Sequence, residues 1–322
     1  MKKFTIKQIS VTGITLLLLL LFPLVITQTY LIHVMILVFM FGMLGVAWNI
    51  MGGYAGMFSF GQAAFFGIGA YTSSFLLVTF QVNPWIGLIA GGVVAALMAA
   101  AIGYPCSNLR GHYFAIATIA FGEIVRIHFN NWKLVNAAEG ITIPMMDESL
   151  ANFMFHSSKL PYYYIILAFL LLALVICYFV ANSKMGYYFR AIKESHDVAE
   201  VLGVNVVRYR LIAIMVSAFL SAMAGTFYAQ YILYIDPESV MLLAISIQIV
   251  LISMLGGAGT IMGPVIGAAI LIPIAELTRI WLGHRGTGVD MLIYGFLITL
   301  ISVYQPQGIW GLFANIGKKK NG

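Results

Sequence analysis

The chain has 322 residues, 61% hydrophobic and only 9% charged, with a formal net charge of +6 and a mean hydropathy of +0.97. A soluble domain carries about 25% charged residues, so this composition excludes a soluble globular protein and reads as an integral membrane protein. The positive balance does not indicate nucleic acid, because the basic residues fall in short loops and tails and not in a patch interleaved with aromatics.

At the N-terminus Lys2, Lys3 and Lys7 precede an apolar run, residues 14–26. No small-x-small cleavage site comes after it and further apolar segments begin at once, so the run reads as an uncleaved first span. A helical span takes roughly 20 apolar residues. There are ten candidates, near 11–27, 31–50, 61–80, 85–104, 112–131, 162–181, 211–232, 240–255, 263–282 and 289–305. An even count puts both termini on one side. Threading then places 12 of the 17 Lys and Arg residues there, including Arg110, the 182–210 stretch and the terminal Lys318, Lys319 and Lys320. Lys133, Lys159 and Arg285 fall opposite, and Arg126 and Arg279 fall within spans. The expectation is an all-α polytopic membrane protein of about ten transmembrane helices, N-in/C-in, forming a single domain over 1–322 in the lipid bilayer.

Two glycine-rich breaks interrupt the apolar pattern, GGYAGMFSFGQAAFFGIGAY (52–71) and GGAGTIMGPVIGAA (256–269). Each has a Gly pair, then a small-residue-rich helix start, and each lies between consecutive spans. Interrupted helices of this kind expose backbone groups to a transport path, and the same glycines allow close helix packing. Both readings stay open. As a path surface, the first break offers Gly53, Gly56, Ser59, Gln62, Tyr71 and Thr72 among Phe58, Phe60 and Phe65, and the second offers Gly256 and Gly257. The other reading of Ser59 and Gln62 is hydrogen bonding to a neighbouring helix.

Charge inside spans is scarce. Glu123 and Arg126 share a helix face three residues apart, and Glu276 and Arg279 repeat that spacing. Such pairs neutralise themselves, so the expectation is a structural role, with a proton relay as the alternative. The exterior segment, about 132–161, is punctuated by Pro144 and Pro161 and is too short for a domain.

The stretch 182–210, NSKMGYYFRAIKESHDVAEVLGVNVVRYR, carries eight of the chain's 28 charged residues. Phe189, Ile192, Ala199 and Leu202 fall near one helical face, and Arg190, Lys193, Glu194 and Asp197 fall on another. Ser195 can cap a short helix and Gly203 can end it in a left-handed conformation. The stretch reads as an amphipathic element beside the membrane on which something aqueous packs, or else as a solvated connection. Cys106 and Cys177 lie far apart in sequence, form neither metal-ligand spacing nor a disulfide framework, and read as small hydrophobes. No phosphate-binding loop, HExxH, GxSxG or GxGxxG occurs, and the adjacent Ser195, His196 and Asp197 do not make a triad. Neither a metal site nor a cofactor is indicated, and no enzymatic activity. Uphill transport would draw on a partner or an ion gradient.

Several stretches together resemble the LivM-type permease subunits of branched-chain amino acid ATP-binding-cassette importers. They are GGYAGMFSFGQAAFFGIGAYTSSFL (52–76), LRGHYFAIATIAFGEIVRI (109–127), FRAIKESHDVAEVLGV (189–204), LGGAGTIMGPVIGAAIL (255–271), AELTRIW (275–281) and YQPQGIWGL (304–312). The resemblance implies a vitamin B12-importer-like (type II) permease arrangement in the bacterial inner membrane. It further implies a second, LivH-like permease, two cytoplasmic ATP-binding subunits and an extracytoplasmic amino-acid-binding protein. On that likeness 182–210 is the ATPase-coupling loop, with Arg190, Lys193, Glu194, Asp197, Ala199, Glu200, Leu202 and Gly203 as its residues. Asp197 to Gly203 fits the importer pattern E-A-A-x-x-x-G with Asp for Glu and Val198 for the first Ala. One departure stands out: where the family often has Gly-Gly before Glu139-Gly140-Ile141, this chain has Asn136 and Ala137. The alternatives are a related urea or short-amide importer permease and an ion-coupled secondary carrier, which has no need of an amphipathic coupling loop.

Overall fold

A backbone in lipid must satisfy its own polar groups, so the long apolar runs fold as helices. The computed structural model describes residues 17–24, 28–109, 111–282 and 309. Residues 17–24 are helical. After them come α1 (Thr29–Asn49), α2 (Gln62–Phe80), α3 (Pro84–Gly103), α4 (His112–Asn131), α5 (Leu160–Asn182), α6 (Lys184–Glu194), α7 (His196–Val201), α8 (Val206–Ile232), α9 (Pro237–Met241), α10 (Leu243–Gly256) and α11 (Gly263–Leu282). A π-helical turn, Ile50–Tyr54, prolongs α1. Strands β1 (Ile141–Thr142) and β2 (Tyr234–Ile235) pair antiparallel, Ile141 opposite Ile235.

Among the described residues, six helices are long and apolar enough to cross a membrane: Thr29–Tyr54, Gln62–Phe80, Pro84–Gly103, Leu160–Asn182, Val206–Ile232 and Pro237–Gly256. The expected span at 112–131 exists as α4, but Glu123, Arg126, two histidines and two asparagines lower its hydropathy below the other six. The expected span at 263–282 is α11, whose apolar part is Gly263–Thr278. The one at 240–255 is a composite, broken at Leu242 between α9 and α10. The first and tenth expected spans fall outside the described residues, apart from 17–24. So do the lysine clusters at both ends of the chain, Arg110 and Arg285.

Helix starts obey cap chemistry. The Asn83 side chain accepts from the Trp85 amide ahead of Pro84, and Asn205 accepts from Arg208 at the start of α8. α2 packs on both α3 and α8, while α1 packs on α5 and α11. Between α2 and α8 the backbones nearly touch: a Cβ on Gly69 would strike Ala222, and one on Gly225 would strike Phe66. Only small residues permit that approach.

Connections gather at two ends of the bundle. At one end lie the 104–109 turn, the junctions 55–61 and 257–262, and the α6–α7 pair. Arg210 holds the Leu109 carbonyl there at 2.9 Å, and Lys193 holds that of Gly53 at 2.9 Å. At the other end the 132–159 segment pairs with β2 and covers the start of α3, where the Trp85 indole donates to the Leu150 carbonyl at 2.8 Å.

Candidate functional site

The first glycine-rich break begins where α1 widens into its π turn. The Trp48 indole donates to the Ser59 carbonyl at 2.9 Å, folding residues 55–61 back beneath it. Gly56, at φ +70°, makes the reversal and leaves no room for a side chain against Lys193. The chain then climbs into the bundle before α2 starts. Gln62 donates to Ser217, eleven residues into α8, so α2 begins roughly 16 Å from the α8 end at 1.5 Å per residue. Backbone amides freed at that depth need acceptors. Thr118 of α4 accepts from Phe60 at 3.0 Å, the Ser59 hydroxyl from Gly61 at 3.2 Å, and Ser246 of α10 from Ala63 at 2.8 Å.

The second break closes on the first. Asn49, fully buried, donates to the Thr260 carbonyl at 2.7 Å and accepts from the Gly259 amide at 2.7 Å. The Thr260 hydroxyl donates to the Gly257 carbonyl at 2.7 Å and accepts from the Gly263 amide at 3.1 Å, which closes the turn into α11. Gly53 fits only because it lacks a Cβ, which would come within 2.6 Å of the Gly259 nitrogen. Onto that same Gly53 carbonyl Lys193 Nζ donates from α6, at 2.9 Å. Three regions that stand apart in the sequence therefore meet at one point.

The amphipathic stretch is two helices. Ser195, at φ −158°, breaks the helix and caps α7 by accepting from the Val198 amide. Phe189 and Ile192 are buried, and Ala199 packs with Ile192 and Val206. The expected common face separates here. Ala199 is 1% exposed whereas Leu202 is 74% exposed, beside exposed Val198 and Val201, because the bend at Ser195 resets the helical phase. Gly203 ends the segment at φ +82°, as expected for a left-handed terminator. Lys193, Glu194, Asp197 and Glu200 are exposed. Arg190 donates to the Ala181 carbonyl at 2.9 Å and lies over the Tyr54 ring.

Of the proposed path residues, Ser59, Gln62 and Tyr71 are all buried. Gln62 bonds across to the Ser217 and Ser221 hydroxyls of α8, at 2.9 and 2.5 Å. Its Oε1 and the Tyr71 hydroxyl have no hydrogen-bond partner among the described residues. Gly256 lies against Gly263, and Gly257 sits at φ +121°.

Glu123 and Arg126 pair as expected, through contacts of 3.0 and 2.5 Å, and Arg126 also lies 3.7 Å from Glu238 of α9. Glu276 is partly buried on α11, and the Arg279 side chain lies outside the described residues. Two polar anchors escape a sequence reading. Asn49 is one, signalled only by an amide inside the apolar run 31–50. Arg210 is the other: it is buried, donates to the Ser107 and Leu109 carbonyls and to Met57 sulfur, and lies over Phe114. At the opposite end Asn136 and Ala137 adopt φ of +60° and +49°. The Gly-Gly departure thus falls on two left-handed positions.

The chain matches the family model described as branched-chain amino acid transport system / permease component over residues 30–302. It belongs to this family. Among its relatives, the high-affinity branched-chain amino acid transport system permease protein LivM of Escherichia coli is 30% identical over 304 residues, covering 87% of this chain and 69% of that protein. LivM of Salmonella typhimurium is 30% identical over 291 residues, covering 83% of this chain and 66% of the relative. The chain therefore spans about two thirds of the length of these permeases. LivH of Salmonella typhimurium is 24% identical over 290 residues, covering 84% and 91%. No solved structure matches the chain. Family membership and the six apolar helices make it a multi-pass membrane permease.

Proposed function

We propose that the chain is one permease subunit of an ATP-binding-cassette importer in the bacterial plasma membrane. Its cargo on this reading is branched-chain amino acids, and partner ATPases supply the energy. The observation that carries the proposal is the three-way contact of Lys193, Gly53 and the Asn49–Gly259–Thr260 clamp. An ATPase bearing on the exposed Val198, Val201 and Leu202 displaces α6–α7, and Lys193 passes that displacement directly to both interrupted junctions. The α6–α7 end is then cytoplasmic, in a ten-span, N-in/C-in, vitamin B12-importer-like arrangement. The opposite end receives an amino-acid-binding protein, and a LivH-like permease completes the path. That path runs along the first break, Gly53, Gly56, Ser59, Gln62 and Tyr71, and past Gly256 and Gly257.

Ala199 is buried in the chain's own packing, so Leu202 is the position that tests docking. In cells expressing the whole complex, Leu202→Asp with Val201→Asp should leave membrane insertion intact, abolish uptake of labelled leucine and release the ATPases on purification. Normal uptake with the ATPases retained overturns the proposal. Collapse of uptake by an ionophore with no ATPase requirement gives the ion-coupled carrier instead.

A further inference from the structure

The uncovered sides of the long helices are of two kinds. On α3, Ile86, Ile89, Val93 and Leu97 are exposed along one helical face, and the helix carries no charged residue. That surface suits lipid tails. α4 is different. Its buried residues are Phe114, Thr118, Phe121 and Val125, a single seam set against α2, where the Phe65 and Phe121 rings meet at 5.7 Å. Beside the seam stands Glu123, eleven residues into the helix, about 17 Å along it and so near mid-membrane. Its side chain is 45% exposed. Leu243 of α10, exposed as well, lines the same cleft as Glu123, and exposed Ile247 follows one turn later.

The charges on this face do not balance. Arg126 donates to both Glu123 oxygens, at 3.0 and 2.5 Å. Glu238 of α9, 70% exposed, reaches the same guanidinium only at 3.7 Å. Two carboxylates therefore share one cation. Carboxylates within a span face protein, or water that protein encloses, and not lipid tails. The chain's own expected spans outside the described residues cannot complement them: 289–305 carries Asp290 as its one charge, and 11–27 carries none. The complement has to come from another membrane protein. We infer that this face, Glu123 and Glu238 with Leu243 and Ile247, docks the second, LivH-like permease, which presents a basic side chain to the surplus acid. The inference rests on the functional reading above and gives its partner a place on the chain. Thr118, in the buried seam of the same helix, accepts from the Phe60 amide at 3.0 Å, so the docking face is one side chain away from the first glycine-rich break.

Photo-crosslinking in membranes that hold the whole complex tests it. A benzophenone amino acid in place of Leu243 should join this chain to the second permease, whereas the same probe in place of Ile89 on α3 should give lipid adducts alone. Adding Glu238→Lys should lower the crosslinked fraction at position 243 about tenfold or more, because it sets like charges face to face. Glu238→Gln should lower it less. Thermal unfolding of the full chain in detergent should be the same with and without Glu238→Lys, since that side chain is largely exposed. If Glu238→Lys fails to fold, the smaller loss in Glu238→Gln still reads the contact. An unchanged crosslinked fraction in the folded variants overturns the charge pairing. Crosslinks from position 243 to residues 289–305, to a second copy of this chain or to lipid alone, in a complex that takes up leucine, overturn the docking face, and so does an equal yield from position 89. Absence of leucine uptake by the unsubstituted complex overturns the functional reading itself.

Discussion

The two ends of the bundle weight their contacts differently, although Tyr188 also meets Tyr209 at 4.6 Å at the α6–α7 end and Trp85 also bonds the Leu150 carbonyl at the other. At the α6–α7 end, single polar side chains reach over to backbone groups: Asn49 to the Gly259–Thr260 peptide, Lys193 to Gly53, Arg210 to Leu109. At the other end rings stack on rings. Trp85 lies on Phe153 at 4.7 Å with planes 7° apart, and Phe153 meets Phe169 at 6.4 Å and Phe227 at 6.1 Å. Ring packing gives up dispersion contacts on any displacement, so that end resists motion. A side chain bonded to a carbonyl can exchange it for the next, so the α6–α7 end can rearrange at modest cost. The contrast predicts where the chain is held and where it yields.

The sharpest test of the rigid end is Phe153→Ala. Phe153 is fully buried at φ +55°, and loss of a buried phenyl costs about 3–5 kcal/mol. Thermal unfolding in detergent should show the largest loss here, and a smaller loss than at Asn49 would break the comparison.

The second test, at the α6–α7 end, is Asn49→Leu. It leaves the partly buried Gly259 amide and Thr260 carbonyl without their side-chain partner, each a cost of at most about 1–3 kcal/mol. The protein should still be recovered folded, but leucine uptake should vanish, because the junctions are no longer tied. Uptake at the wild-type rate would make Asn49 an ordinary packing residue.

How far these features are legible in the sequence varies with their range along the chain. Span positions rest on apolar length, which is local, so the central helices fall where expected. The glycine-rich breaks are visible for the same reason. Their fastening is not, because Asn49 and Thr260 are 211 positions apart, and pattern within a window carries no sign of a partner outside it. Arg210 reads as one more positive residue of the 182–210 stretch, yet it is buried against the 104–109 turn. Continuing one helical phase through Ser195 puts Leu202 on the packed face, although the capping role of Ser195 already implies a break there.

The smallest expected effect concerns the 132–159 segment. Ala137 holds φ +49° without glycine's freedom, a strain of roughly 1 kcal/mol. Ala137→Gly should therefore raise the unfolding temperature slightly and leave uptake unchanged. A fall in stability would mean that the alanine methyl packs better than its backbone angle costs.

The π turn at Ile50–Tyr54 carries a consequence for the insertions and deletions the gene can accept. A π turn is an α-helical turn with one residue too many, so the spacing from Asn49 to Gly53 depends on residue count as well as residue type. Deleting any one position from 50–54 would restore α geometry and rotate α1 by about 100° relative to the first break and α2. Asn49 would then swing away from the Gly259 amide that it holds at 2.7 Å. In-frame single-codon deletions across 50–54 should all be null for uptake regardless of which codon is removed, whereas many single substitutions among the same five residues should be tolerated.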